Sequence, residues 1–166
     1  MRKRGTMQKQ TASPGRTTAA RRTAPRVRDL MTPNPFTLQP RDTLAALYDL
    51  MDNHRVRHVP IVDGEGELVG LLTHTDLAMS ALGSVSELPL SQERDLLQRR
   101  RIREVMVTEL ETVEPETPLA EAAATLFENK IGCLPVVEGN RLVGILTESD
   151  FVRRFVEESA KTSSSN

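Results

Sequence analysis

The stretch L-V-G-L-L-T-H-T-D at residues 68–76 returns 74 positions later as L-V-G-I-L-T-E-S-D at 142–150. Each copy is a continuous apolar run that meets a threonine and, three residues on, an aspartate. Such a run predicts a strand covered on both faces. The S/T-x-x-D that follows predicts a helix start, with the hydroxyl capping a backbone N–H and the carboxylate reaching back to the cap. One such box carries little weight, because caps are common. Two at equivalent places, each after the same strand pattern, indicate a duplicated unit.

The duplication extends upstream with an offset of 75 residues. Arg28 matches Arg103, Met31 matches Met106, Thr37 matches Thr112 and Pro40 matches Pro115. Leu44, Ala45, Pro60 and Val62 match Leu119, Ala120, Pro135 and Val137. A repeat dictates architecture before any local reading, and two copies predict a face-to-face pair rather than a solenoid. Each copy reads as strand, helix, strand, strand, helix. Phe36–Leu38 is a short extended segment. Asp42 or Thr43 caps a helix whose Leu44, Leu47, Tyr48 and Met51 follow i, i+3, i+4, i+7 spacing. Leu119, Ala122, Ala123 and Leu126 repeat that spacing. Val59–Val62 and Leu68–Leu72 form a hairpin across the Asp63–Glu67 turn, and Glu138-Gly139-Asn140 makes the second turn. The divisions predicted are a disordered basic tail (1–26), repeat one (27–80), a connector with a Ser91-capped helix (81–101), repeat two (102–158) and a disordered tail (159–166).

The two junctions are the candidate site. A helix N-terminus offers free N–H groups and the positive end of its dipole to a phosphate. Thr73 and Thr147 add hydroxyls there, and Asp76 and Asp150 are shaped to accept from the two hydroxyls of a ribose. Thr75 and Ser149 lie in the same turns. The plain alternative is that both boxes only cap helices.

At these residues the chain is similar to the CBS domain family, from Val27 to about Phe155 outside the connector. The resemblance rests on V-R-D-L-M-T-P (27–33) against I-R-E-V-M (102–106), on T-L-x-P against T-V-x-P, on h-P-h-V followed by an acid, and on G-h-h-T-x-x-D. It implies an α/β (α+β) fold of two β-α-β-β-α repeats packed about a pseudo-twofold axis, with nucleotide clefts between them. Asp76 and Asp150 would hold ribose, Thr73 and Thr147 phosphate. The backbone at Val59-Pro60, Leu134-Pro135, Thr37 and Thr112 would edge adenine. The strand R-V-R-H-V-P at 55–60 also resembles the regulatory γ subunit of AMP-activated kinase. There, basic residues at the places of Arg57 and His58 face phosphates. Gly132 and Cys133 stand at those places in repeat two, so the two clefts are expected to differ, with di- or triphosphate charge favoured near Arg57 and His58.

Composition restricts the remaining readings. Residues 1–28 hold nine Lys or Arg and no acid, while the rest holds 13 basic and 23 acidic residues. A segment this poor in apolar residues cannot offset its ordering entropy. The tail is read as solvated, with contact to nucleic acid or an anionic surface as alternatives. A transit peptide needs a larger apolar face than Met1 and Met7 supply. With no Trp, one Tyr and four Phe, stacking platforms for single-stranded nucleic acid are largely excluded. Cys133 is the single cysteine, which reads as a buried small residue in a reducing, cytoplasmic setting. His54, His58 and His74 show no zinc spacing. The Arg99–Arg101 cluster reads as a helix end. No P-loop, dinucleotide fingerprint or metal motif is present.

The expectation is therefore a non-catalytic regulatory sensor without prosthetic group or metal. Its ligand is an adenine nucleotide (AMP, ADP or ATP), or alternatively S-adenosylmethionine. It forms a homodimer, acts on an unidentified protein target and has no membrane span. The competing expectation is a dimerisation scaffold with empty clefts, its basic tail contacting nucleic acid.

Overall fold

The structure, a computed structural model, describes residues 24–85 and 90–163. Repeat one contains β1 (Thr32–Pro33), α1 (Leu44–His54), β2 (His58–Val62), β3 (Leu68–Thr73) and α2 (His74–Val85). The connector holds α3 (Leu90–Arg99). Repeat two contains α4 (Leu119–Asn129), β4 (Cys133–Glu138), β5 (Arg141–Thr147) and α5 (Glu148–Ser163). Thr43 caps α1, its side chain accepting from the Ala46 N–H at 3.1 Å, while Asp42 instead accepts from the Gln39 N–H at 2.7 Å. Since α3 begins at Leu90, Ser91 lies inside the helix and not ahead of it. The C-terminal segment read as a tail continues α5 to Ser163.

The hairpins form as the pattern predicts, β2 against β3 and β4 against β5, both antiparallel. Phe36–Leu38 makes no full strand; Leu38 forms a single parallel bridge to Ile61, as Val113 does to Val136.

What the repeat alone does not reveal is an exchange of their first segments. β1 belongs to repeat one in sequence but pairs antiparallel with β5 of repeat two, Thr32 opposite Ile145. Reciprocally, Val107 bridges Leu71 of β3, with N–H···O bonds of 2.9 and 3.0 Å. The short turns that precede these segments cross as well. The Val27 N–H donates to the Thr117 carbonyl and the Ile102 N–H to the Asp42 carbonyl, each at 2.9 Å. Val27 is thereby buried in the core of Leu119, Leu126, Leu134, Val136 and Leu146. Ile102 is buried in the core of Leu44, Leu47, Val59, Ile61 and Leu72.

The glycine of each L-V-G-h-L run has its reason here. A Cβ on Gly144 would stand 2.6 Å from the Met31 sulfur, and one on Gly70 2.8 Å from that of Met106. Each strand needs glycine where the other repeat's methionine crosses it.

The exchange also reaches into the segment read as tail. The Leu119 N–H donates to the Pro25 carbonyl at 2.9 Å, and Arg26 pairs with Glu116 at 3.4 Å. Residues 1–23 of the expected tail lie outside the described residues. At the far end of the hairpins, Leu68 donates to Asn140 and Leu142 to Gly66, closing the pair about its pseudo-twofold axis.

Candidate functional site

The two strand-to-helix junctions fold as Thr-Asp caps, and the cap of repeat one is reciprocal. The Thr73 N–H and hydroxyl both donate to Asp76 Oδ2, at 2.8 and 2.7 Å, and the Asp76 N–H returns a bond to the Thr73 hydroxyl at 3.2 Å. In repeat two the Thr147 N–H and hydroxyl donate to Asp150 Oδ2, each at 2.8 Å. The capping role is thus real in both, and it uses only one oxygen of each carboxylate. Asp150 Oδ1 accepts from Arg153 at 2.6 Å. Asp76 Oδ1 has no such partner among the described residues. Asp150 is also the deeper of the two, 5% exposed against a half-buried Asp76.

The exchange places the junctions in clefts built from both repeats. Cleft one, about 460 Å³, joins Thr73, Thr75 and Asp76 of repeat one to Val107, Glu109, Leu110, Glu111 and the Lys130–Cys133 edge of repeat two. Cleft two, about 430 Å³, joins Thr147, Ser149, Asp150 and Arg153 to Thr32, Pro35, Phe36 and the Arg55–His58 edge of repeat one. Both volumes lie in the range of small-molecule sites. Arg55 and Lys130 occupy equivalent places at the left-handed ends of α1 and α4, with φ of 53° and 54°. A left-handed non-glycine residue costs energy that a functional site can justify, and here the turn starts the strand that edges each cleft.

Some of the expected residues are not among those that line the clefts. Val59, Pro60 and Leu134 are fully buried and line neither, although Pro135, equally buried, lines cleft one. Thr37 and Thr112 do not line them either; their neighbours Phe36 and Glu111 do. Pro135, Cys133, Arg57 and His58 stand where expected. Glu109, Glu111, Lys130, Arg55 and Arg153 are wall residues that the pattern did not mark. They are exposed polar positions whose cleft becomes evident only once the exchange is known.

His58 lines both clefts. It leans on the backbone of Gly132, where a Cβ would lie 3.0 Å from its Nε2. Burial pulls its pKa below 6.5; Glu148 opposes that shift, Arg57 adds to it, and Asp76 opposes it. It therefore stands neutral at pH 7, a hydrogen-bonding group rather than a fixed charge. Burial pushes the Cys133 thiol up to about 12. It is a small wall residue and, without thiolate, no nucleophile. Among the described residues no cluster of His, Cys, Asp and Glu is arranged to hold a metal ion, and no helix is long and apolar enough to cross a membrane.

Two hairpin units that exchange their first segments and enclose two small-molecule clefts define a paired-repeat binding module. The chain belongs to the CBS domain family, which matches it twice, over residues 27–83 and 102–157. It is 34% identical over 143 residues to the CBS domain-containing protein YhcV of Bacillus subtilis, covering 84% of this chain and 93% of that one. Its fold is similar to a putative acetoin utilization protein (AcuB) from Vibrio cholerae, with a TM-score of 0.71, 37% identity, and coverage of 86% of this chain and 98% of that one. Two ligand-bound structures, each 27% identical and covering 81% of this chain and 98% of the other, are also similar. They are the CBS domain pair of protein MJ0100 with 5′-methylthioadenosine and S-adenosylmethionine (TM-score 0.68) and CBSX2 with AMP (TM-score 0.67). The chain spans about a fifth of enzymes it also matches, among them homoserine O-acetyltransferase of Methanocorpusculum labreanum and inosine-5′-monophosphate dehydrogenase of Mycobacterium tuberculosis, at 22% and 21% of their lengths.

Proposed function

We propose that this chain is a non-catalytic regulatory module that binds adenosine compounds in its two clefts, with AMP, ADP or ATP held in cleft two. The observation that carries this reading is the pairing, in each cleft, of a capped helix N-terminus with an aspartate that keeps an oxygen beyond the cap, without a partner among the described residues in Asp76 and held by Arg153 in Asp150. Cleft two adds Arg55, Arg57 and Arg153 around that junction, the guanidinium chemistry that phosphate oxygens fit best. The bound adenosine ligands of the two similar structures support the ligand class. As a sensor of the adenine-nucleotide pool, the module acts in the cytoplasm. Its ligand shifts the shape or association that a target protein reads, which requires tighter binding to one state than to another.

The test is a thermal-shift panel of AMP, ADP, ATP, GTP and S-adenosylmethionine on the full chain. A ligand at 100 times its dissociation constant adds about 2.7 kcal/mol of stability. Silence towards every nucleoside compound at millimolar concentration would sink the reading.

A scaffold role is favoured by a separate observation. On repeat two, α4 and α5 leave Phe127 84% and Phe155 71% exposed, with Val152 and Val156 beside Phe155. On repeat one, α3 packs over α1 and α2 instead, with Leu97 entering the core and Arg94 paired to Asp49 at 3.0 Å. The bare face is the surface through which we expect a homodimer, and Phe127→Asp with Phe155→Asp should yield a monomer by light scattering.

A further inference from the structure

Because the repeats are duplicates, each wall position of one cleft has a counterpart in the other, and the charges can be compared place by place. Arg57 of cleft two is replaced by Gly132 in cleft one, and Phe36 by Glu111. The position of Asn34, beside the Pro35 and Phe36 wall, is taken by Glu109; the position of Arg153 is taken by Met79. Arg55 is matched only by Lys130. Cleft two thus sets three guanidiniums against one carboxylate, and cleft one sets three carboxylates (Asp76, Glu109 and Glu111) against one ammonium. The rest of the wall of cleft one is apolar, with Leu71, Val107, Ile131 and Pro135 prominent.

We infer that the clefts discriminate by the charge of the 5′ group: cleft one takes an adenosine whose 5′ substituent is neutral or cationic, and Glu109 and Glu111 turn phosphate away. The inference rests on the adenosine-binding reading above. The two glutamates belong to the segment that follows Val107, whose bridge to Leu71 ties that segment to β3, and both line the cleft. An anionic phosphate there meets like charges, and no guanidinium is within the wall to answer them. A sulfonium or amine at the same place is attracted by the same three carboxylates. His58 does not reverse the balance, since burial keeps it neutral and Asp76 is the only anion of this wall among the groups that bear on it. Both glutamates are exposed, so water and salt reduce their effect; the selection is of moderate strength and fades as salt rises.

The test is titration calorimetry of the full chain at low salt with 5′-methylthioadenosine, S-adenosylmethionine and AMP. Each is titrated alone and then against protein saturated with one of the others. Expected is one site for 5′-methylthioadenosine that AMP does not displace and that Asp76→Asn abolishes while Asp150→Asn leaves it. E109Q/E111Q, which changes charge but not shape, should admit AMP to cleft one about tenfold more tightly than in the parent chain, a gain lost at high salt. Competition of AMP with 5′-methylthioadenosine for one site in the parent chain would overturn the inference. So would an unchanged AMP stoichiometry in E109Q/E111Q, or a cleft one that ignores neutral and cationic nucleosides while cleft two takes AMP. In each of those cases adenosine binding itself still stands. Failure of all three compounds to bind either cleft is a different result, and removes both readings together.

Discussion

The two junctions use the same residue types at the same spacing, yet their carboxylates live differently. Among the described residues Asp76, half-buried, is held by Thr73 alone and keeps one oxygen open. Asp150 is almost fully buried and also takes Arg153 at 2.6 Å. Burying a polar group is costly unless its partners are kept, so Asp150 is first a structural group, with the ligand role we propose added to it. Asp76 is closer to a plain cap, free to take the ligand role proposed for it. Identical motifs therefore do not imply identical roles. The arginine beside Asp150 and the wall supplied by the other repeat decide how much of each aspartate is committed to stability.

The largest contrast should appear on truncating each carboxylate. Asp150→Ala removes acceptors for two Thr147 donors and for Arg153. It should cost about 2–3 kcal/mol in urea unfolding, and should abolish AMP binding in cleft two. Asp76→Ala strands the two Thr73 donors but no arginine, at a half-buried site, and should cost about 1 kcal/mol, leaving AMP in cleft two unaffected. Equal destabilisation by both would mean that burial and the Arg153 contact do not distinguish them.

A second comparison sets the two crossing points against each other. Gly144→Ala forces a Cβ to 2.6 Å from the Met31 sulfur and 3.2 Å from the Thr32 carbonyl oxygen. Overpacking of this kind costs about 1–3 kcal/mol. Gly70→Ala meets the Met106 sulfur at 2.8 Å and the Val107 oxygen at 3.2 Å, and should cost somewhat less. Met31→Ala should relieve the first and not the second, a coupling that a double-mutant cycle measures directly. If Met31→Ala rescued neither, the methionine side chain would not be the reason for Gly144, and the Thr32 carbonyl at 3.2 Å would be left as the obstacle.

These crossings also show why some of the molecule was legible in the sequence and some was not. The hairpins, α1 and α4, and the capping boxes follow from periodicity and from turn and cap chemistry, all of which are local. Which hairpin receives Thr32–Pro33 is not local. Both repeats offer the same apolar edge, so V-R-D-L-M-T-P reads equally well as the start of repeat one or as an arm reaching repeat two. The aspartates and threonines were therefore identifiable, but their opposite walls were not. Glu109, Glu111, Lys130 and Arg153 are exposed charges without periodicity, and they acquire a place only when the arm is assigned.

A smaller effect separates the basic edge of cleft two from the lone lysine of cleft one. Arg57→Ala should weaken AMP about tenfold, the value of one charge-assisted hydrogen bond, and should leave a neutral nucleoside in cleft one unchanged. Lys130→Ala should do neither. A loss of both ligands with Arg57→Ala would point to a general disturbance of β2, readable as a matching fall in melting temperature.

The smallest effect belongs to His58, the one side chain common to both walls. Its folded pKa lies below 6.5 because burial outweighs the attraction of Glu148 and Asp76, with Arg57 adding to the shift. Between 6.5 and that lower value the unfolded chain binds a proton that the folded chain does not. Stability must therefore rise with pH across that window and be lost as pH falls through it. Once both states are protonated, the slope ends. His58→Gln keeps a hydrogen-bonding group of similar reach but removes the titration, so urea midpoints between pH 7.5 and 5.5 should flatten relative to the parent chain. An undiminished slope would place the proton elsewhere, and would show that the wall between the clefts is not where acid is sensed.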